Sequence, residues 1–175
     1  EVYHKDRDPN LPYEIEHIYP DYSLYPELTK DKAFGFLTRG CCNNCDFCIV
    51  SKKEGMCSKK VADLSEFWHE QKYIDLLDAN LLACKERMDL LRQLSESKAY
   101  VDFTQGLDAR FITDDVSIAL KSVKKKAVHF AFDFMKNEKA IIKGLNTYRK
   151  FNARPEHDIV YILTNFDTTI EQDLY

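Results

Sequence analysis

Residues 33–48 read AFGFLTRGCCNNCDFC, a short apolar run carried through Thr38-Arg39-Gly40 into four cysteines within eight residues. The run Ala33–Leu37 has the length and composition of a buried strand. Four more of the same kind follow: Tyr73–Leu77, Tyr100–Phe103, Ala127–Phe132 and Ile159–Leu163. Helical periods separate them. Val61, Leu64, Phe67 and Trp68 make one stripe, and Met88, Leu91 and Leu94 the next. Val116, Ala119, Leu120 and Val123 make a third, with Thr113 as expected N-cap and Asp114 and Asp115 at the positive end of the helix dipole. Ile141, Ile142, Leu145 and Tyr148 make a fourth, and Thr168-Thr169-Ile170-Glu171 reads as a capping box opening a fifth helix. Strict strand–helix alternation predicts an α/β fold, with a parallel sheet and right-handed crossovers. Such units build an open doubly wound sheet or part of a barrel, and in both the ligand sits at the carboxyl ends of the strands.

Those ends are polar in every unit. After the first strand come the cysteines, and after the second Asp78-Ala79-Asn80. The third leads through Asp102 to Thr104-Gln105-Gly106-Leu107-Asp108-Ala109-Arg110, the fourth ends in Asp133, and the fifth in Thr164-Asn165-Phe166-Asp167. One aspartate after a strand is a turn or cap residue. Five polar sets in succession point to a site built around a polar ligand. In the fourth run Ala127, His129, Ala131 and Asp133 alternate with Val128, Phe130 and Phe132, so His129 belongs to the small, polar face; a satisfied core histidine is the expectation there.

The bulk properties exclude several classes. Hydrophobic residues make up 45% of the 175, enough for one sizeable core and one domain. A net charge of −4 removes the global basic field that general nucleic-acid binding or an anionic membrane would need. No apolar run approaches the roughly 18 residues of a membrane span, and no signal-peptide pattern appears. Four clustered cysteines suit one inorganic centre better than a disulfide framework, which places its half-cystines far apart. A reducing, cytoplasmic setting is therefore expected. Residues 1–32, with Pro9, Pro12, Pro20 and Pro26 among Tyr3, Tyr13, Tyr19, Tyr22 and Tyr25, lack either period and read as an extended arm or linker.

Thiolates from one short loop select iron–sulfur clusters, zinc or copper(I). Cys41, Cys45 and Cys48 give C-x3-C-x2-C; Cys42, Cys45 and Cys48 give C-x2-C-x2-C, a ferredoxin-like run that wants a fourth cysteine. Cys57 is available for that place, or as the fourth thiolate of a zinc site. A zinc-binding interaction module and an electron-transfer protein with a fully ligated cluster thus stand beside an enzyme.

The first spacing, with Phe47 before the last cysteine and just after a first strand, resembles the radical S-adenosylmethionine superfamily, over residues 33–175. FLTRGC, LLDANLLAC, VDFTQGLDAR and LTNFDTT are similar to a bacterial and phage-type subgroup of these Fe–S oxidoreductases. Some of its members carry a cobalamin-binding-like domain upstream, and HIYPDYSLYP resembles the segment that joins it; no cobalamin-binding histidine motif accompanies it here. The resemblance implies a partial (βα) barrel over residues 33–175, of which five units are present and a sixth is expected to be truncated. It implies a [4Fe–4S] cluster on Cys41, Cys45 and Cys48, with Cys42, Cys57 and Cys84 outside the ligand set. S-adenosylmethionine would chelate the open iron. Asp78 and Asn80 stand where the family has a Gly-Gly-Glu motif and would accept from the methionine ammonium, although the glycines are missing. Gln105, Asp108 and Arg110 would contact the sulfonium and carboxylate, Asp133 the ribose, and Thr164 and Asn165 the adenine, again without the family's glycines. Phe47 would shield the cluster. The implied partners are a substrate not named by the sequence and an electron donor such as a flavodoxin or ferredoxin.

Overall fold

The computed structural model describes residues 11–152 and 158–175. In chain order the elements are α1 (Tyr13–Glu16), α2 (Pro26–Thr29), β1 (Lys32–Gly35), β2 (Thr38–Arg39), α3 (Val50–Glu54), β3 (Lys59–Lys60) and β4 (Tyr73–Leu76). Then follow α4 (Arg87–Ser97), β5 (Tyr100–Leu107), α5 (Asp114–Ser122), β6 (Lys125–Phe132), α6 (Glu138–Phe151), β7 (Asp158–Ile162) and α7 (Ile170–Asp173). All five expected strands pair in parallel, in the spatial order β1-β4-β5-β6-β7. The protein is a mixed α/β fold on a five-stranded parallel sheet. When strands add in sequence order, right-handed crossovers put every helix on one face. Accordingly α4 packs on α5 and α5 on α6.

Period-two alternation decides what each face carries. Ile74, Leu76, Val101, Phe103, Val128 and Phe130 are buried together with Leu90, Leu91 and Leu94 of α4, Val116 and Leu120 of α5, and Ile141 and Tyr148 of α6. Burying each such side chain contributes roughly 1.5–3 kcal/mol. The opposite face is chemically different. Asp75 and Asp102 lie in register across β4 and β5, each 8% exposed. Lys32 Nζ pairs with Asp75 at 2.7 Å and Lys126 Nζ with Asp102 at 3.1 Å. Val101 pairs with Lys125 and Asp102 with Ala127, so Lys126 is the extra residue of a bulge. His129, on the same face, contacts the Phe103 carbonyl at 3.1 Å through Nδ1 and stacks on Tyr161 at 5.3 Å. Its ring has a partner, as expected, but it lies partly buried on the face away from the helices and not in the core.

Three local expectations need correction. The stripe Val61, Leu64, Phe67 and Trp68 forms no α-helix, only a 3-10 turn over Leu64–Glu66. Side chains satisfy that turn's donors: Glu66 accepts from Asp63 N–H and Gln93 from Leu64 N–H, so no second turn is needed. Leu64 and Phe67 are buried all the same. The last capping box is Thr169 with Gln172, one residue later than expected, and opens α7. Thr113 holds the N-cap position of α5 but its hydroxyl bonds the Asp115 side chain instead of the backbone. In the N-terminal segment, Pro9 and Tyr3 fall outside the described residues. The remainder forms short turns tied down by Tyr22, whose hydroxyl accepts from Phe34 N–H (3.0 Å) and donates to the Phe67 carbonyl (2.7 Å). Among the described residues no helix is long and apolar enough to cross a membrane.

Candidate functional site

The cysteine loop opens and closes at one point, on a two-stranded sheet of its own. Thr38 pairs with Lys60 and Arg39 with Lys59, so β2 and β3 close the loop with an antiparallel ladder. Glu54, at the end of α3, reinforces the closure: it accepts from Gly40 N–H and from the Arg39 guanidinium, both at 3.1 Å. Arg39 also pairs with Glu16 at 3.2 Å, joining the N-terminal segment to the loop. Gly40 has φ +88°, and a Cβ there would lie 2.2 Å from the Cys57 carbonyl oxygen. Only glycine lets the chain pass this close to its returning strand before Cys41. Cys41 N–H then donates to the Gly55 carbonyl (3.1 Å), and Cys48 N–H to that of Cys45 (3.0 Å).

Cys41, Cys45 and Cys48 are free thiols of intermediate exposure, whereas Cys42 and Cys57 are exposed and Cys84 is buried. Burial pushes the Cys45 thiol up, followed by the charges of Asp133, Cys41 and Cys48, so these groups share one electrostatic neighbourhood. Burial, then Cys41, also raises the Cys42 thiol.

A hydrogen-bonded network ties the loop to the ends of β4 and β5. Asn80, 2% exposed, directs Nδ2 to Cys41 Sγ (3.6 Å) and to Asp108 Oδ2 (3.4 Å). Asn43, from within the loop, donates to Asp108 Oδ2 (3.2 Å) and accepts from Arg110 Nη2 (2.7 Å). Arg110 grips Asp108 through Nε (2.8 Å) and Nη2 (2.6 Å). Burial pushes the Asp108 carboxyl up, but Arg110 and Asn43 outweigh it and hold the group below its ordinary range. Local backbone makes this possible. β5 runs beyond the expected Phe103 because Thr104-Gln105-Gly106 bulges out opposite His129, with Gly106 at φ +93°. The bulge leaves Gln105 exposed and delivers Asp108 as the N-cap of a single 3-10 turn, Ala109–Phe111.

The other expected residues fall into two groups. Asp133 lies at the end of β6; its carboxyl is raised by burial and then by Asp108, with Arg110 opposing. Phe47 reaches across to Phe166 (5.2 Å, edge-on) and Phe134 (6.0 Å), making an aromatic cluster beyond β6 and β7. Thr164 and Asn165 are exposed in the loop after β7, where Asn165 has φ +56° and its N–H donates to Asp173 (3.0 Å). Asp78 turns away from this group. It is 5% exposed and accepts from Leu37 N–H (3.1 Å), Thr38 N–H (2.5 Å) and Thr38 Oγ1 (2.6 Å), bracing the entrance to the loop. Asn43, Phe134 and Phe166 escaped the sequence reading. The loop asparagines follow the cysteines too closely to stand out, and Phe134 and Phe166 carried only the signal of lying next to Asp133 and Asn165.

Three free thiols on a closed loop, a neighbouring amide donor, and Asn80 Oδ1, buried without a hydrogen-bond partner among the described residues, fit an iron–sulfur cluster with an adjacent polar ligand. Among the described residues no three His, Cys, Asp or Glu side chains gather closely enough to hold a single metal ion. No protein-family model matches the chain, and no curated protein matches it.

Proposed function

We propose that Cys41, Cys45 and Cys48 hold a [4Fe–4S] cluster, that the crevice beside it binds S-adenosylmethionine, and that the chain carries a radical S-adenosylmethionine active site on a partial barrel. The observation that carries this reading is the network from Asn43 and Asn80 to Asp108 and Arg110, which joins a loop of three free thiols to the carboxyl ends of β4 and β5. Ligands of parallel α/β folds bind at that edge. When bound, the cluster would pass one electron from a donor such as a flavodoxin or ferredoxin to S-adenosylmethionine, supplying its reductive cleavage to methionine and a 5′-deoxyadenosyl radical able to take hydrogen from a substrate carbon.

The chain's own residues bind and orient. Asn80 Oδ1 accepts from the ligand's ammonium, satisfying an oxygen that otherwise lacks a partner. Arg110 presents a guanidinium, preset by Asp108, to its carboxylate. Asp133 accepts from ribose hydroxyls, and Gln105, Thr164 and Asn165 flank the crevice. Phe47, Phe134 and Phe166 wall off the cluster and the adenine from water. Asp78 acts at one remove, by fixing where β2 begins.

The test mixes anaerobically reconstituted, reduced protein with S-adenosylmethionine and measures 5′-deoxyadenosine. Product is expected from the wild type and from Cys57→Ala, and none from Cys41→Ala, Cys45→Ala or Cys48→Ala. A cluster-replete protein that yields no product sinks the reading. Loss of the metal centre in Cys57→Ala favours a four-thiolate site instead.

A further inference from the structure

We propose that Asn80 sets the reduction potential of the cluster by donating an N–H···S hydrogen bond to the Cys41 thiolate. This rests on the cluster reading above and assigns a task to an atom that ligand binding leaves unused. The donor end of the amide is fixed by its neighbours. Both groups near it, Cys41 Sγ at 3.6 Å and Asp108 Oδ2 at 3.4 Å, are acceptors. Turning the amide over would set its carbonyl against a carboxylate and a sulfur, which is repulsive. The side chain is also immobile: Asn80 is 2% exposed, followed by Leu81 and Leu82 at 1% and 0%, and Asp78 two residues earlier is braced to Leu37 and Thr38. The N–H dipole is therefore aimed at the sulfur before any ligand arrives.

Hydrogen bonds to cluster sulfurs are one of the protein's levers on potential. An N–H donor stabilises the reduced, more negative state more than the oxidised one, so its presence raises the potential. Burial strengthens the effect, because no water competes at this amide. The three thiolates are not equivalent in this respect. Cys45 Sγ lies 3.9 Å from the Asn43 carbonyl oxygen, an acceptor. Asn80 thus singles out Cys41. As a positioning residue it acts through that ligand and needs no contact with substrate.

The experiment is a spectroelectrochemical titration of the full chain, anaerobically reconstituted, as wild type and as Asn80→Leu. Leucine keeps the volume, removes the donor and keeps water out. Its potential is expected to fall by an amount equivalent to roughly a tenfold change in the reduction equilibrium, about 59 mV for one electron. Asn80→Gln, which restores an amide, is expected to recover part of the shift. Resonance Raman of the wild type in D2O supplies a measurement that needs no mutant: an Fe–S(Cys) stretch should move on exchange. An intact cluster whose potential is the same in Asn80→Leu overturns the inference, and so does a wild-type spectrum insensitive to deuterium. Wild-type protein that assembles no cluster overturns the preceding reading itself, which separates the two failures.

Discussion

At the residue scale the most informative group is Asp78, where two effects of opposite sign meet. Burial raises its carboxyl from 3.8 to about 6, although Thr38 and Leu37 donate three hydrogen bonds that pull it down. A pKa higher in the folded than in the unfolded state means the native protein binds the proton more tightly. The stabilisation is then present in full below pH 3.8 and lost as pH rises through about 6. Its ceiling is about 3 kcal/mol. Asp78→Asn cannot titrate, and its amide would face the Leu37 donor, costing about 1–3 kcal/mol. Urea denaturation of both proteins should therefore show the wild-type advantage widening from pH 7 to pH 5; an advantage constant across that range would contradict the shifted carboxyl. The role of Asp78 was only half legible. An aspartate after a strand announces a turn or a ligand, and sequence cannot reveal that Thr38, forty residues earlier, lies within its reach.

At the element scale the site depends on how closely α6 approaches the turn that carries Arg110. Gly144 sits where an added Cβ would fall 1.8 Å from the Ala109 carbonyl oxygen. The helical pattern of Ile141, Leu145 and Tyr148 was readable from spacing, but this glycine was not, because its reason is a backbone on another element. Gly144→Ala should destabilise by about 1–3 kcal/mol by overpacking, although alanine is the better helix former. A lowered urea midpoint with an unchanged slope would bear this out, and a stabilised variant would refute the close approach. The strands were the most legible elements: all five runs pair as expected, since continuous apolar runs and β-branched or aromatic content are local properties. The β5 extension was missed because Gln105 and Gly106 break the apolar run, while the chain crosses them as a bulge.

At the scale of the whole molecule the sheet separates its two tasks by face. One side is closed by α4, α5 and α6 over an apolar core, and the other carries two in-register aspartates, each with its own lysine. Composition showed the charged residues, but only the pairing register brings Asp75 beside Asp102. Lys126 is supplied by a bulge that no pattern announces. Lys126→Met should leave Asp102 buried beside another carboxylate, with the lysine gone and the His129 ring facing it from 3.6 Å. Discounted for the partial exposure of the lysine, the cost is expected at roughly 1–3 kcal/mol. Adding Asp102→Asn should recover most of it, and a double-mutant cycle in urea measures the coupling; a coupling near zero would show that the pair contributes nothing.

The ladder between Thr38 and Lys60 also makes the cysteine segment a cassette. Its two ends emerge side by side, so the span between them could be lifted out and a tight hairpin turn put in its place without asking β1 or β4 to move. The same property would let the span vary in length, provided a replacement kept the partners of Asn80, Asp108 and Arg110 and the Phe47 ring that meets Phe134 and Phe166. A fold so divided can change what this loop holds by replacing a cassette while the core beneath stays as it is.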